Sequence, residues 1–231
     1  MKLNLFGCSH TDLLYNYYFS KHFDSHTSST GGYSNFNIID EVYKIVENEY
    51  DKEKDVLLIQ YTYTNRWWIP NNLPESRFGF HSLDTSHAPI YTYNPSFMKD
   101  DLKKFYELYI TYFWDYEPAL YHLLKNITLL KAYLESKGVI YHHYLWTDGG
   151  NDEEWKENSI KKDSTSIDVT SKYKELNLLS IDGRYHIGDY MIEKGWCHSD
   201  GHVYNEKQSL LGEKLYKEFI KKTKINLDIS K

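Results

Sequence analysis

Between Asp55 and Gln60 the chain reads Val56-Leu57-Leu58-Ile59, four apolar residues without a polar interruption. A strand with one wet face alternates polar and apolar residues, so an unbroken run this short implies a strand buried on both faces, as at the centre of a parallel sheet. Parallel neighbours cannot be joined by tight hairpins; each pair needs a crossover, usually a helix. The rest of the chain must therefore supply strands alternating with amphipathic helices.

It does so at several places. Leu3-Asn4-Leu5-Phe6 alternates and stops at Gly7, a first strand, and Thr11 or Asp12 can cap a helix running to Phe23. Ser25 to Gly32 is rich in Ser, Thr and Gly and reads as a loop. Behind Ser34 or Asn35 as cap, Ile38, Val42, Ile45 and Val46 recur at helical spacing. Leu102, Phe105, Tyr109 and Phe113 mark another helix. Pro118 suits the first turn of a further one carrying Leu120, Leu123, Leu124, Ile127, Leu130 and Leu134, which Gly138 ends. Val139 to Trp146 is β-prone, and Asn205 with Gln208 resembles a capping box opening a last helix through Leu211, Leu215 and Phe219. Two stretches break the pattern: an aromatic-rich segment at 62–97, with four of the five prolines, reads as an irregular insertion, and 147–170 reads as a polar loop. The expected architecture is a three-layer α/β/α sandwich with a mostly parallel central sheet, whose ligand sites lie beyond the carboxyl ends of the strands.

Composition narrows the function classes. At 231 residues the chain suits one domain. Its formal charge of −6 disfavours a nucleic-acid binder held by phosphate contacts, and the Lys-rich run from Lys214 to Lys224 lies on an amphipathic pattern that reads as a solvated helix face. No apolar run is long enough for a membrane span, the N-terminus lacks a secretory apolar region, and Cys8 and Cys197 are the only cysteines, so a soluble cytoplasmic protein is expected. Aromatic residues reach 17%, which fits either stacking surfaces for sugars or bases, or aromatic core filling.

Three segments carry chemistry-bearing residues next to proposed strand ends or helix starts. In Gly7-Cys8-Ser9-His10-Thr11, a serine directly after the first strand would present its hydroxyl where backbone N–H groups and a helix dipole favour negative charge; such a serine can equally be a simple cap. His198-Ser199-Asp200-Gly201-His202, just before the last helix, offers an imidazole and a carboxylate from one turn, the pair a nucleophilic serine needs. Gly31-Gly32-Tyr33-Ser34-Asn35 would let backbone N–H groups approach a developing oxyanion, or merely lead the loop into its helix.

Together these segments resemble the SGNH (GDSL-like) hydrolase superfamily. Phe6-Gly7-Cys8-Ser9-His10-Thr11 looks like its first block, with Cys8 in place of the usual Asp. Gly32-Tyr33-Ser34-Asn35 looks like the second, and Asp200-Gly201-His202 with the helix beyond it looks like the last. The resemblance implies a flavodoxin-like sandwich and an ester hydrolase with Ser9 as nucleophile, His202 as base and Asp200 orienting the imidazole. It implies an oxyanion hole from the backbone N–H groups of Ser9 and Gly32 and a side chain such as Asn65, with no metal and no organic cofactor. The third block departs from the family's Gly-x-Asn-Asp: here the strand runs into Gln60-Tyr61-Thr62-Tyr63-Thr64-Asn65-Arg66, leaving Asn65, Thr64 or Thr62 as the donor. One residue rather than two separates Asp200 from His202. Thr64, Arg66, Trp67 and Trp68 would border the cleft, beside Phe78, Phe80 and Tyr91, and bind a small-molecule or carbohydrate ester.

Four rival readings follow from the same residues. Cys8, His10, Cys197, His198, Asp200 and His202 are zinc-type ligands, although their spacing is no standard structural motif. Cys8 could itself be the nucleophile, or pair with Cys197. A binding protein that kept the hydrolase fold without turnover would also explain the altered third block. An O-acyltransferase would use the same acyl-enzyme.

Overall fold

A computed structural model of the chain describes residues 1–8, 10, 11, 14, 18–29, 34–62, 64, 67–70, 87–90, 104, 108, 112, 116–147, 169–198 and 202–223; for 25–29, 67–70 and 87–90 this is the backbone alone. The Val56-Leu57-Leu58-Ile59 run lies in β3 (Asp55–Tyr61), every residue of which is buried. It pairs in parallel with β1 (Lys2–Gly7) on one side and with β6 (Tyr141–Leu145) on the other. β2 (Asp24–Ser29) extends the sheet beyond β1, again in parallel, giving the order β2-β1-β3-β6. The segment that the sequence reads as a loop is thus an edge strand. Its Ser/Thr-rich composition hides the ladder because an edge needs no apolar run; backbone pairing with β1 holds it, in register from Lys2–Asp24 to Gly7–Ser29.

Helices cover both faces, so the chain is a mixed α/β sandwich of three layers. On one face lie α1 (Asn35–Asn48), α2 (Tyr116–Ser136) and α3 (Val169–Glu175). All six apolar positions expected of α2 are buried, alongside Ile38, Val42 and Ile45 of α1 and the outward side chains Phe6, Leu57, Ile59 and Tyr61 of the sheet. Ser34 caps α1 in a capping box with Asn37, and Gly138, at φ 66°, ends the turn after α2. The opposite face packs Leu3, Leu5, Val56 and Leu58 against Leu14, Phe19, Phe23, α4 (Ile187–Glu193) and α5 (Asn205–Thr223). Beyond β6, the Leu179 amide donates to the His143 carbonyl and His186 forms a parallel bridge with Leu145, a rudimentary fifth strand position.

Other expectations resolve locally. Backbone helix appears at Lys104, Leu108 and Tyr112, whose side chains are exposed; Leu102, Phe105, Tyr109 and Phe113 lie outside the described residues. The stretch 62–97 is not wholly irregular, since β4 (Trp67–Pro70) and β5 (His87–Ile90) form an antiparallel ladder. A two-strand ladder needs no buried face of its own, and Pro70 and Pro89 mask its period in the sequence. The polar loop at 147–170 gives way to α3 at Val169. The last helix starts at Asn205 as expected, but Gln208 does not close a capping box: its buried amide donates to the Val203 carbonyl, 2.9 Å away. Lys214 and Lys217 pair with Asp182 and Glu213, and Lys221 lies 3.8 Å from Glu218, as on a solvated helix face. No helix among the described residues is long and apolar enough to cross a membrane.

Candidate active site

In the sheet order β2-β1-β3-β6 the chain leaves β1 in one direction and β3 in the other, so a crevice opens between their carboxyl ends. β1 ends there in Gly7 and Cys8, and β3 in Gln60, Tyr61 and Thr62. Gln60 ties the two ends together: its Nε2 donates to the Cys8 sulfur at 3.1 Å, and its Oε1 accepts a short hydrogen bond from the Thr11 hydroxyl. This crossing leaves no room above Gly7, where an added Cβ would lie 2.0 Å from Thr11 Oγ1 and 2.9 Å from Gln60 Cβ. The glycine of the first block is thus required for packing. Buried Tyr144 lies on the same face, and burial holds its phenol well above the ordinary pKa.

The second block docks on the third at this crevice. Asn35, in the first turn of α1, donates from Nδ2 to the Thr62 carbonyl at 2.9 Å and accepts from the Thr62 N–H at 2.8 Å. A side-chain amide thereby continues the ladder where β3 ends and ties the start of α1 to it. The Thr62 hydroxyl is buried and has no hydrogen-bond partner among the described residues. A hydroxyl left so costs free energy unless a ligand or water meets it.

The third element comes from the far end of the chain. Residues 196–198 pair antiparallel with 202–204: the Tyr204 amide donates to the Trp196 carbonyl, Cys197 bridges Val203, and the His198 amide donates to the His202 carbonyl at 2.8 Å. Val203 is anchored in the core. This pairing brings His202 against His10, ring centroids 4.7 Å apart, while the other face of contact for His10 is Trp146, stacked at 4.0 Å and 15°. Trp146 follows β6; its amide donates to the Tyr61 carbonyl, its carbonyl accepts from the Gly188 amide at 2.7 Å, and a Cβ on Gly188 would fall 2.6 Å from its indole nitrogen. The result is a column of Gly188, Trp146, His10 and His202. It joins α4, the end of β6, the helical residue His10 after β1 and the paired segments 196–198 and 202–204.

The structure therefore brings His202 to the residue that follows Ser9. Ser9, Asp200, Gly32, Asn65 and Arg66 themselves lie outside the described residues, as do Phe78, Phe80 and Tyr91; Trp67 and Trp68 are described only as backbone of β4, and Thr64 as a turn residue. Cys8 is fully buried, and Cys8 and Cys197 are both free thiols, so the disulfide alternative does not hold. Among the described residues no three His, Cys, Asp or Glu side chains form a group able to hold a metal ion.

No protein-family model matches the chain, and neither does any curated protein sequence. Among solved structures it is similar to the psychrotrophic esterase EstA from Pseudoalteromonas sp., inhibited by monoethylphosphonate. The alignment covers 97% of this chain and 99% of that one, at 11% identity and a TM-score of 0.48. The α/β sandwich stands on the strand pairing itself.

Several residues of the site have no role in it that the sequence alone discloses. Trp146, Gln60, Asn35 and Gly188 were each legible only by position: Trp146 and Gln60 occupy strand carboxyl ends, where the fold puts ligand sites, as Gly7 does. Asn35 reads as a cap and Gly188 as an ordinary glycine, because the partner that gives each its role is more than 25 residues away in sequence.

Proposed function

We propose that the chain is a serine esterase that hydrolyses a carboxylic ester through an acyl-enzyme, with an O-acetylated carbohydrate or a lipid ester as substrate. The observation that carries this reading is the ring contact between His202 and His10, which joins the two ends of the chain at the crevice of a parallel sheet. In this mechanism Ser9 Oγ attacks the ester carbonyl carbon while His202 takes the hydroxyl proton. Asp200, two positions before His202 in sequence, accepts the other imidazole N–H and holds the useful tautomer. The tetrahedral intermediate collapses, the leaving alkoxide takes the proton from His202, and water repeats the sequence on the acyl-enzyme.

The oxyanion would receive backbone N–H groups of Ser9 and Gly32 and one side-chain donor. Asn65, Thr64 and Thr62 are the candidates, and the buried Thr62 hydroxyl, which has no hydrogen-bond partner among the described residues, favours Thr62. Thr64, Arg66, Trp67 and Trp68 would border the bound ester. Full burial of Cys8 beneath Gln60 speaks against a thiol nucleophile.

Fluorophosphonate labelling tests the proposal. The wild type and Cys8→Ala should be modified and Ser9→Ala should not; an unlabelled wild type, or a labelled Ser9→Ala, overturns it. If Thr62 is the donor, Thr62→Val should slow ester cleavage about 100- to 1,000-fold while leaving the fold intact. An acyltransferase would label too, and product analysis with water and sugar acceptors separates the two activities.

A further inference from the structure

A second concave site lies beyond the β6 edge of the sheet, where α3, the 181–186 turn and α4 enclose a cleft of about 200 Å³. A chain of hydrogen-bonded polar groups lines it. His186 holds Nδ1 3.2 Å from an Asp189 carboxylate oxygen and Nε2 3.0 Å from the Tyr173 hydroxyl. A carboxylate can only accept, so Nδ1 donates to Asp189, and Nε2 lies within hydrogen-bond distance of the Tyr173 hydroxyl. Arg184 Nη2 donates to Glu193 Oε2 at 2.7 Å, and both of these side chains are more than half exposed. Tyr185 adds a ring tilted against Tyr173, with centroids 5.6 Å apart.

Three properties select an occupant. The volume falls below the roughly 300–1,000 Å³ of sites for drug-sized ligands, so the cleft suits a single ring. Among the described residues that line it, one guanidinium is set against two carboxylates, which gives an anion no net attraction. The half-buried Tyr185 ring offers an apolar face directly beside donors and acceptors of both kinds, the complement of a ring with a C–H face and a hydroxyl rim. We propose that this cleft is a binding subsite for one neutral, polyhydroxylated sugar ring. The proposal does not depend on the serine mechanism. It connects to the candidate active site through α4, because Gly188 abuts Trp146 while the flanking His186 and Asp189 line the cleft.

Titration of the full-length protein, followed by NMR of the His186 and Tyr173 ring signals, tests this. The probes are methyl α-D-glucopyranoside and N-acetylglucosamine, with inorganic phosphate and ethylammonium as charged comparators. At least one sugar should produce saturable shifts with a dissociation constant on the order of 1 mM. Binding should weaken about fivefold in Arg184→Ala and in Glu193→Ala, each loss being that of one hydrogen-bonding group on an exposed side chain. The proposal is overturned if neither sugar shifts these signals up to about 100 mM, if phosphate or ethylammonium shifts them more strongly, or if both variants bind as the wild type does.

Discussion

The two faces of the sheet are built on different principles. The face under α1, α2 and α3 is filled mainly with aliphatic side chains at helical spacing, and its stability comes from apolar volume. The face under α4 and α5 combines aliphatic residues with rings, and its geometry turns on close approaches: Thr11 and Gln60 crossing over Gly7, Gly188 against Trp146, Trp146 against His10, and His10 against His202. The first kind of face tolerates a changed volume with a loss of stability alone. The second should lose function when a contact shifts by an ångström, because the candidate catalytic imidazole is the last member of the column.

That contrast predicts its own failures. Ile127→Ala, deep in the aliphatic face, should lower the unfolding free energy by about 2–5 kcal/mol in a urea titration while leaving fluorophosphonate labelling per folded molecule unchanged. An equal loss of labelling would erase the distinction between the faces.

Acid should act through burial on both faces. Burial lowers the pKa of His143, between Tyr61 and the Leu176 carbonyl, from 6.5 to about 4, and that carbonyl offsets the effect only in part; His142, facing Phe219, is also lowered to about 4, again chiefly by burial. The unfolded chain then takes up protons first. Stability should be full above about pH 6.5 and fall as the pH drops towards 4, by on the order of 3 kcal/mol for His143. In His143→Gln the slope of stability against pH in that window should decrease by one proton; an unchanged slope would mean that His143 does not titrate on unfolding.

The smaller stability effect belongs to the ring-lined face. Gly188→Ala places a methyl group where the Trp146 indole stands, and should cost about 1–3 kcal/mol of stability. Its labelling rate per folded molecule should nevertheless drop at least tenfold, the reverse of the pattern in Ile127→Ala. Labelling at the wild-type rate would show that the column does not seat His202.

This division also explains what the sequence discloses. The run from Val56 to Ile59 identifies the central strand, and the six apolar positions of α2 are buried as their spacing predicts, because each reports local periodicity against one broad apolar surface. β2 escapes, since an edge strand held by backbone pairing needs no hydrophobic pattern. Within the crevice, His202 could be singled out from its neighbours in sequence, and the structure places it beside the first block. Trp146 and Gly188 could not: their roles come from contacts made across the fold by residue types that are common anywhere. Gln208 shows the same limit, being placed correctly at the start of α5 and yet spending its amide on Val203, the residue after His202.

A crystal structure of the protein after reaction with an ethylphosphonate ester tests the central claim most directly. The account predicts phosphorus bonded to Ser9 Oγ, with a His202 ring nitrogen within about 3.2 Å of that oxygen or of the adduct. An adduct on another side chain, or His202 turned away from the phosphonylated serine, would contradict it.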